Sequence, residues 1–109
     1  MNVEDINGGA VKLYNSIIGE NGTVDKGGGI CTDSSVLMRN TSINNNSSRN
    51  GGGLYIGNTA TVHMWMGSYI NNNYAYNNGG GVYISEKANF LLTDNNIYQN
   101  NCAKNGMCM

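Results

Sequence analysis

The stretch "NNNYAYNNGGGVYI", residues 71–84, sets an asparagine-laden tract against three glycines and then switches at once to a β-like run. Three of the most permissive residues directly before a strand would read as a loop if they occurred once. They occur three times. Gly27, Gly28 and Gly29 stand in "KGGGIC", Gly51, Gly52 and Gly53 in "NGGGLY", and Gly79, Gly80 and Gly81 in "NGGGVY", with first glycines 24 and 28 residues apart. Self-similarity at such a period marks a repeat architecture.

A second marker recurs between the triplets. Ile18, Ile43, Ile70 and Ile97 are each followed three residues later by Asn21, Asn46, Asn73 and Asn100, and two further on by the small residues Thr23, Ser48, Ala75 and Cys102. Within each unit the apolar residues alternate. Ile30, Leu54 and Val82 share one face with Thr32, Ile56 and Ile84, while Cys31, Tyr55 and Tyr83 take the other. Val11 and Leu13, Val36 and Met38, and Phe90 and Leu92 repeat the pattern, and no window carries helical spacing over a useful length.

Short strands, no helix and a period of about 25 residues predict an all-β fold, a right-handed parallel β-helix (solenoid) of about four coils with 24–28 residues per coil. The right hand follows the usual crossover of parallel strands. A single domain spans 1–109, with coils at roughly 1–26, 27–50, 51–78 and 79–105 and a short tail at 106–109. The glycine triplets become coil corners. Ile18, Ile43, Ile70 and Ile97 become a core ladder, and Asn21, Asn46, Asn73 and Asn100 an asparagine ladder hydrogen-bonded up the stack. A β-sandwich of short strands is the rival fold.

These residues resemble a known class. "NNNYAYNNGGGVYI" is similar to the Asn-x-Ala…Gly-Gly-Gly-Ile pattern of right-handed parallel β-helix proteins, nearest to the polymorphic outer-membrane protein and adhesin-like repeats and more distantly to the pectin-lyase-like superfamily. The resemblance covers about residues 8–106. It implies the fold; adhesins, passenger domains, fibres and polysaccharide enzymes all use it.

Composition narrows the function classes. Charged residues are 12% and the formal net charge is −1, so no basic patch points to nucleic acid or an anionic membrane. Hydrophobic residues reach 39% and are patterned, which argues against disorder despite 16 glycines and no proline. No run is long and apolar enough for a membrane span, and "MNVEDINGG" has neither the basic nor the apolar region of a signal peptide.

The third unit carries an extra residue. Matching Ala60 to Ala88 points Val62, Met64 and Met66 inward and His63 and Trp65 outward, with a one-residue bulge near Gly67; the opposite register would bury His63. The outward residues Tyr55, Tyr83, Trp65 and His63 form a candidate contact surface for sugar or for another chain, or are plain surface residues.

Catalysis is not expected. Polysaccharide-active β-helices need carboxylates clustered on adjacent coils. Here Asp94 stacks with Asn15, Asn40 and Gly67, Glu20 with Asn45, Asn72 and Gln99, and Glu86 beside Asn58 and Ser34, so no two share a column. No cofactor or metal site is read. Of three cysteines, Cys102 and Cys108 could close a small loop or Cys102 could stay buried and free, while Cys31 faces outward.

No cap is visible at either end, and the chain holds a near-whole number of repeats. The expected function is therefore a structural, self-associating extracellular or cell-surface protein that stacks head to tail into a filament. The alternative is a segment of a larger adhesin or passenger, joined to flanking coils of a longer chain; a polysaccharide-active fragment comes last. Its partners would be itself, glycans or a host surface.

Overall fold

A computed structural model describes residues 1–3, 11–23, 25–93, 97–99 and 101–103. The strands are β1 (Asn2–Val3), β2 (Val11–Tyr14), β3 (Ile17–Gly19), β4 (Ile30–Thr32), β5 (Val36–Arg39), β6 (Ser42–Asn44), β7 (Ser47–Asn50), β8 (Leu54–Ile56), β9 (Thr61–Trp65), β10 (Tyr69–Asn71), β11 (Tyr74–Asn78), β12 (Val82–Ile84), β13 (Asn89–Leu92), β14 (Ile97–Gln99) and β15 (Cys102–Ala103). No helix occurs among the described residues. Every strand pairs in parallel with its counterpart in the next coil.

Four sheets result. Sheet A is β1-β4-β8-β12, sheet B is β2-β5-β9-β13, sheet C is β3-β6-β10-β14, and sheet D is β7-β11-β15, extended by the bridges Gly22↔Ser47 and Lys26↔Asn50. The molecule is a parallel β-solenoid. Sheets A, B and C each stack four strands and sheet D three, so the solenoid makes about three turns.

Alternation decides which side chains fill the bore. Ile30, Leu54, Ile56, Val36, Val62, Met38, Met64, Ile43 and Ile70 stack inward and are essentially inaccessible. Each such burial contributes roughly 1.5–3 kcal/mol, and none can move to the outer face without shifting its whole strand by one residue.

The coils do not repeat at one period, and the differences sit at corners. Cys31 faces Tyr55, twenty-four residues on, but after the turn at Asn58 and Thr59 Val36 faces Val62, twenty-six on. Ser42 faces Tyr69 at twenty-seven, and past a bulge in β11 Asn50 faces Asn78 at twenty-eight. From there Leu54 to Val82, Thr61 to Asn89 and Tyr69 to Ile97 all keep twenty-eight.

Two expectations are corrected by this register. Ile70 lies opposite Tyr98, not Ile97, so the fourth member of the Ile18–Ile43–Ile70 column is not Ile97. Met66 is not inward: it is 54% exposed. Met66 (φ 54°) and Gly67 (φ 77°) both adopt the left-handed conformation where the earlier coils have only Asn15 or Asn40. The extra residue is absorbed there, and Met66 swings out.

Turning the chain needs left-handed residues at three corners per coil. Gly27, Gly51 and Gly79 supply one (φ 61°, 66° and 66°), Asn15 and Asn40 a second, and Glu20, Asn45 and Asn72 a third. Asparagine tolerates this region better than other non-glycine residues, which accounts for part of its over-use. The next glycine of the triplet is required for a different reason. A Cβ on Gly52 would overlap the carbonyl oxygens of Tyr74 and Gly80, and one on Gly28 those of Gly52 and Ser47.

Gly52→Val is therefore expected to destabilise the fold by at least about 3 kcal/mol, read as a collapsed urea midpoint or lost protease resistance; an unchanged midpoint would show that the corners do not press on one another. Glu20→Asn should do the opposite and stabilise by about 0.5–1 kcal/mol, because glutamate holds a left-handed corner that its two stacked neighbours give to asparagine. A lower midpoint for that variant would contradict the assignment of strain to this corner.

Candidate functional site

The most ordered polar feature is the ladder beside the third corner. The backbone N–H and Nδ2 of Asn21 donate to Oδ1 of Asn46 at 3.0 and 3.1 Å. Asn46 repeats this toward Oδ1 of Asn73 at 3.0 and 3.1 Å, and Asn73 toward Oδ1 of Asn101 at 3.1 and 2.9 Å. The second Nδ2 hydrogen turns back one coil: Asn46 donates to the Ile18 carbonyl, Asn73 to Ile43 and Asn101 to Ile70, each at 3.0 Å. In Asn46 and Asn73, buried side chains, the carboxamide oxygen accepts two bonds and the nitrogen donates two.

The fourth rung is Asn101 and not Asn100, which lies outside the described residues. The constant twenty-eight-residue offset of the last two coils places it there. Ala103, not Cys102, correspondingly faces the small residue Ala75. The expected Cys102–Cys108 pairing involves Cys108, which lies outside the described residues.

Buried hydroxyls close the other corners, among them Thr41 and Ser68, which belong to neither repeated motif. Thr41 Oγ1 bridges the carbonyls of Leu13 and Arg39, and its N–H donates to Ser68 Oγ. Ser48 Oγ reaches the carbonyls of Asn50 and Gly51, and Thr32 Oγ1 donates to Ser34 O while accepting from Ser34 N–H. Their signal was available: Thr32, Thr41 and Ser48 occupy inward positions at strand ends, where an unpaired polar group would be expensive.

The candidate contact residues do not form one surface. Tyr55 and Tyr83 lie on sheet A, their rings stacked with centroids 5.0 Å apart and nearly parallel. His63 and Trp65 lie on sheet B, stacked on each other with centroids 5.7 Å apart, and His63 Nε2 is 2.9 Å from Thr93 Oγ1. Cys31 stacks below Tyr55; burial pushes its thiol pKa up and the nearby Asp33 adds to the shift, so it is a poor nucleophile at neutral pH.

An open cleft of about 350 Å³ lies beside Tyr55, where sheet A turns into sheet B. Lys26, whose Nζ sits 5.1 Å from the Tyr55 ring centre, and Lys87 line it together with Asp33 and Glu86. Two cations face two carboxylates, so the cleft has no excess of either sign. Among the described residues no group of three or more His, Cys, Asp or Glu could hold a metal, and no helix is long and apolar enough to cross a membrane.

The fold and its ladder thus define the class, a parallel β-solenoid with an internal asparagine spine. Compared with protein-family models, curated proteins and solved structures, the chain matches none.

Position along the spine should grade the cost of breaking it. Asn73→Ala strips the acceptor from two donors of Asn46 and the donor from Ile43 O and Asn101 Oδ1, for an expected loss of about 3–5 kcal/mol. Asn21→Ala, at the exposed lower rung, should cost about 1 kcal/mol. Denaturant midpoints check the ratio, and equal losses would mean that the ladder does not act as a buried network.

Proposed function

We propose that the chain is a structural, self-associating β-solenoid whose outer coils pair with further coils, head to tail, to build a filament. The observation that carries this reading is the contrast between central and outer coils. Ile56 and Met64 are inaccessible, whereas their partners one coil higher, Ile84 and Leu92, are 46% and 47% exposed. At the other end Val11, Leu13 and Ile18 are only partly buried, while their partners Val36, Met38 and Ile43 are wholly so.

Another coil laid on either end would cover these side chains and hydrogen-bond the outermost strands, as each coil does to the next. Stacking of this kind is heterologous and does not close, so it grows a fibre. The likeness of the Asn-x-Ala…Gly-Gly-Gly motif to polymorphic outer-membrane and adhesin-like repeats, and more distantly to the pectin-lyase-like superfamily, favours a right-handed coil and a place on a cell surface or in an extracellular fibre. The same uncovered coils suit a segment of a larger adhesin or passenger, in which flanking coils of one chain supply the pairing. The role is passive in either case, and no catalytic step is assigned.

Sedimentation and electron microscopy of the purified chain test this. Uniform, unbranched fibres whose length grows with protein concentration are expected. A monodisperse monomer at high concentration would overturn self-assembly and favour the adhesin segment.

A further inference from the structure

The outer face of sheet B differs in charge from the rest of the described surface. Elsewhere, cations sit beside carboxylates: Arg49 pairs with Asp25 at 4.0 Å, and Lys26 and Lys87 share their cleft with Asp33 and Glu86. Lys12 and Arg39, both outward on sheet B, have no ion-pair partner among the described residues. The described carboxylates, Glu20, Asp25, Asp33 and Glu86, all lie at corners, off this sheet. Among the described residues, sheet B thus carries outward cations and no carboxylate, in a chain of net charge −1.

The same strip is apolar and aromatic. Tyr14, Arg39 and Trp65 form one outward column, and Leu37, His63 and Leu91 the column beside it. Leu91 is 49% exposed, and Met66 projects next to Trp65. Tryptophan, tyrosine and arginine are the side chains that dominate protein–protein binding energy. Among the described residues the buried Trp65 Nε1–H has no acceptor, leaving a donor whose desolvation is uncompensated.

The rings are partly engaged: the Arg39 guanidinium lies 4.5 Å from the Tyr14 ring centre, and Trp65 is stacked on His63. The aliphatic surface and positive charge beside them complement a chain bearing carboxylates and apolar side chains together. We propose that the outer face of sheet B binds an acidic protein segment, with Lys12 and Arg39 meeting its carboxylates and Leu37, Leu91 and Met66 packing its apolar residues. The interaction uses the side of the solenoid and does not depend on end-to-end stacking.

Trp65 is the only tryptophan, so its fluorescence reports on this face alone. The probe is a short peptide of alternating Glu and Leu, with an alternating Lys and Leu peptide and heparin as comparisons. The Glu-Leu peptide should shift Trp65 emission saturably, and salt near 0.5 M should weaken it. Joint charge reversal, Lys12→Glu with Arg39→Glu, should raise the Kd at least about tenfold, while Lys87→Glu in the cleft leaves it unchanged. Lys12→Glu alone, at an exposed position, serves if the double variant fails to fold. No saturable shift, equal binding of the Lys-Leu peptide, or indifference to the reversals would overturn the proposal. Binding of heparin without the Glu-Leu peptide would overturn it in favour of an anionic glycan.

Discussion

The solenoid depends on how the chain turns the corner between sheets C and D without leaving a polar group unpaired inside. The corner is buried, and there the carbonyl of an inward isoleucine and the N–H of the ladder residue pair with carboxamides and not with strand backbone. A carboxamide is the one side chain that can accept two bonds and donate two in a plane. Asn46 and Asn73 use all four, joining three coils at a time. Aspartate would lose both donors and bury a charge, and serine is too short to span a coil spacing of about 4.8 Å. The core ladder of Ile18, Ile43 and Ile70 stands in register because this spine holds the corner beside it.

Left-handed backbone is the complementary requirement. The first three rungs of the spine each follow a residue of positive φ: Glu20 before Asn21, Asn45 before Asn46, Asn72 before Asn73. Two asparagines in succession therefore have different tasks, one conformational and one hydrogen-bonding. That doubling explains how the last coil misleads a reader of the sequence. "IYQN" ends in Asn100 and imitates the Ile-x-x-Asn spacing of the earlier coils, yet the ladder continues through Asn101.

The legible part of the fold was what depends on period two and on recurrence. Strand alternation, parallel stacking and the glycine corners all follow from those. The phase of an insertion was less legible. An extra residue near Gly67 was readable from the Ala60–Ala88 match, but its persistence through the fourth coil was not, because Ile97 and Asn100 satisfy the motif as well as Tyr98 and Asn101 satisfy the register. Met66 failed for a related reason: alternation points it inward, and only the left-handed pair Met66–Gly67 turns it out. The grouping of Tyr55 and Tyr83 with His63 and Trp65 failed because outwardness alone does not say which sheet a residue decorates.

Insertions, then, are confined to places where they leave the bore unchanged. The offset between coils grows from twenty-four to twenty-eight residues, yet Val62 still covers Val36 and Ala75 still follows Ser48. Each added residue widens a corner or bulges outward, as at Asn58–Thr59 beside the polar cleft and at Met66 beside Trp65. Both outer features of this molecule thus adjoin a site where the period changes. The interior fixes the inward face of every strand, whereas the corners can lengthen at small cost because loop closure rises only slowly with length. A solenoid built this way separates stability from recognition along the chain: the spine and bore hold the fold, and the residues added at corners shape what the outside presents.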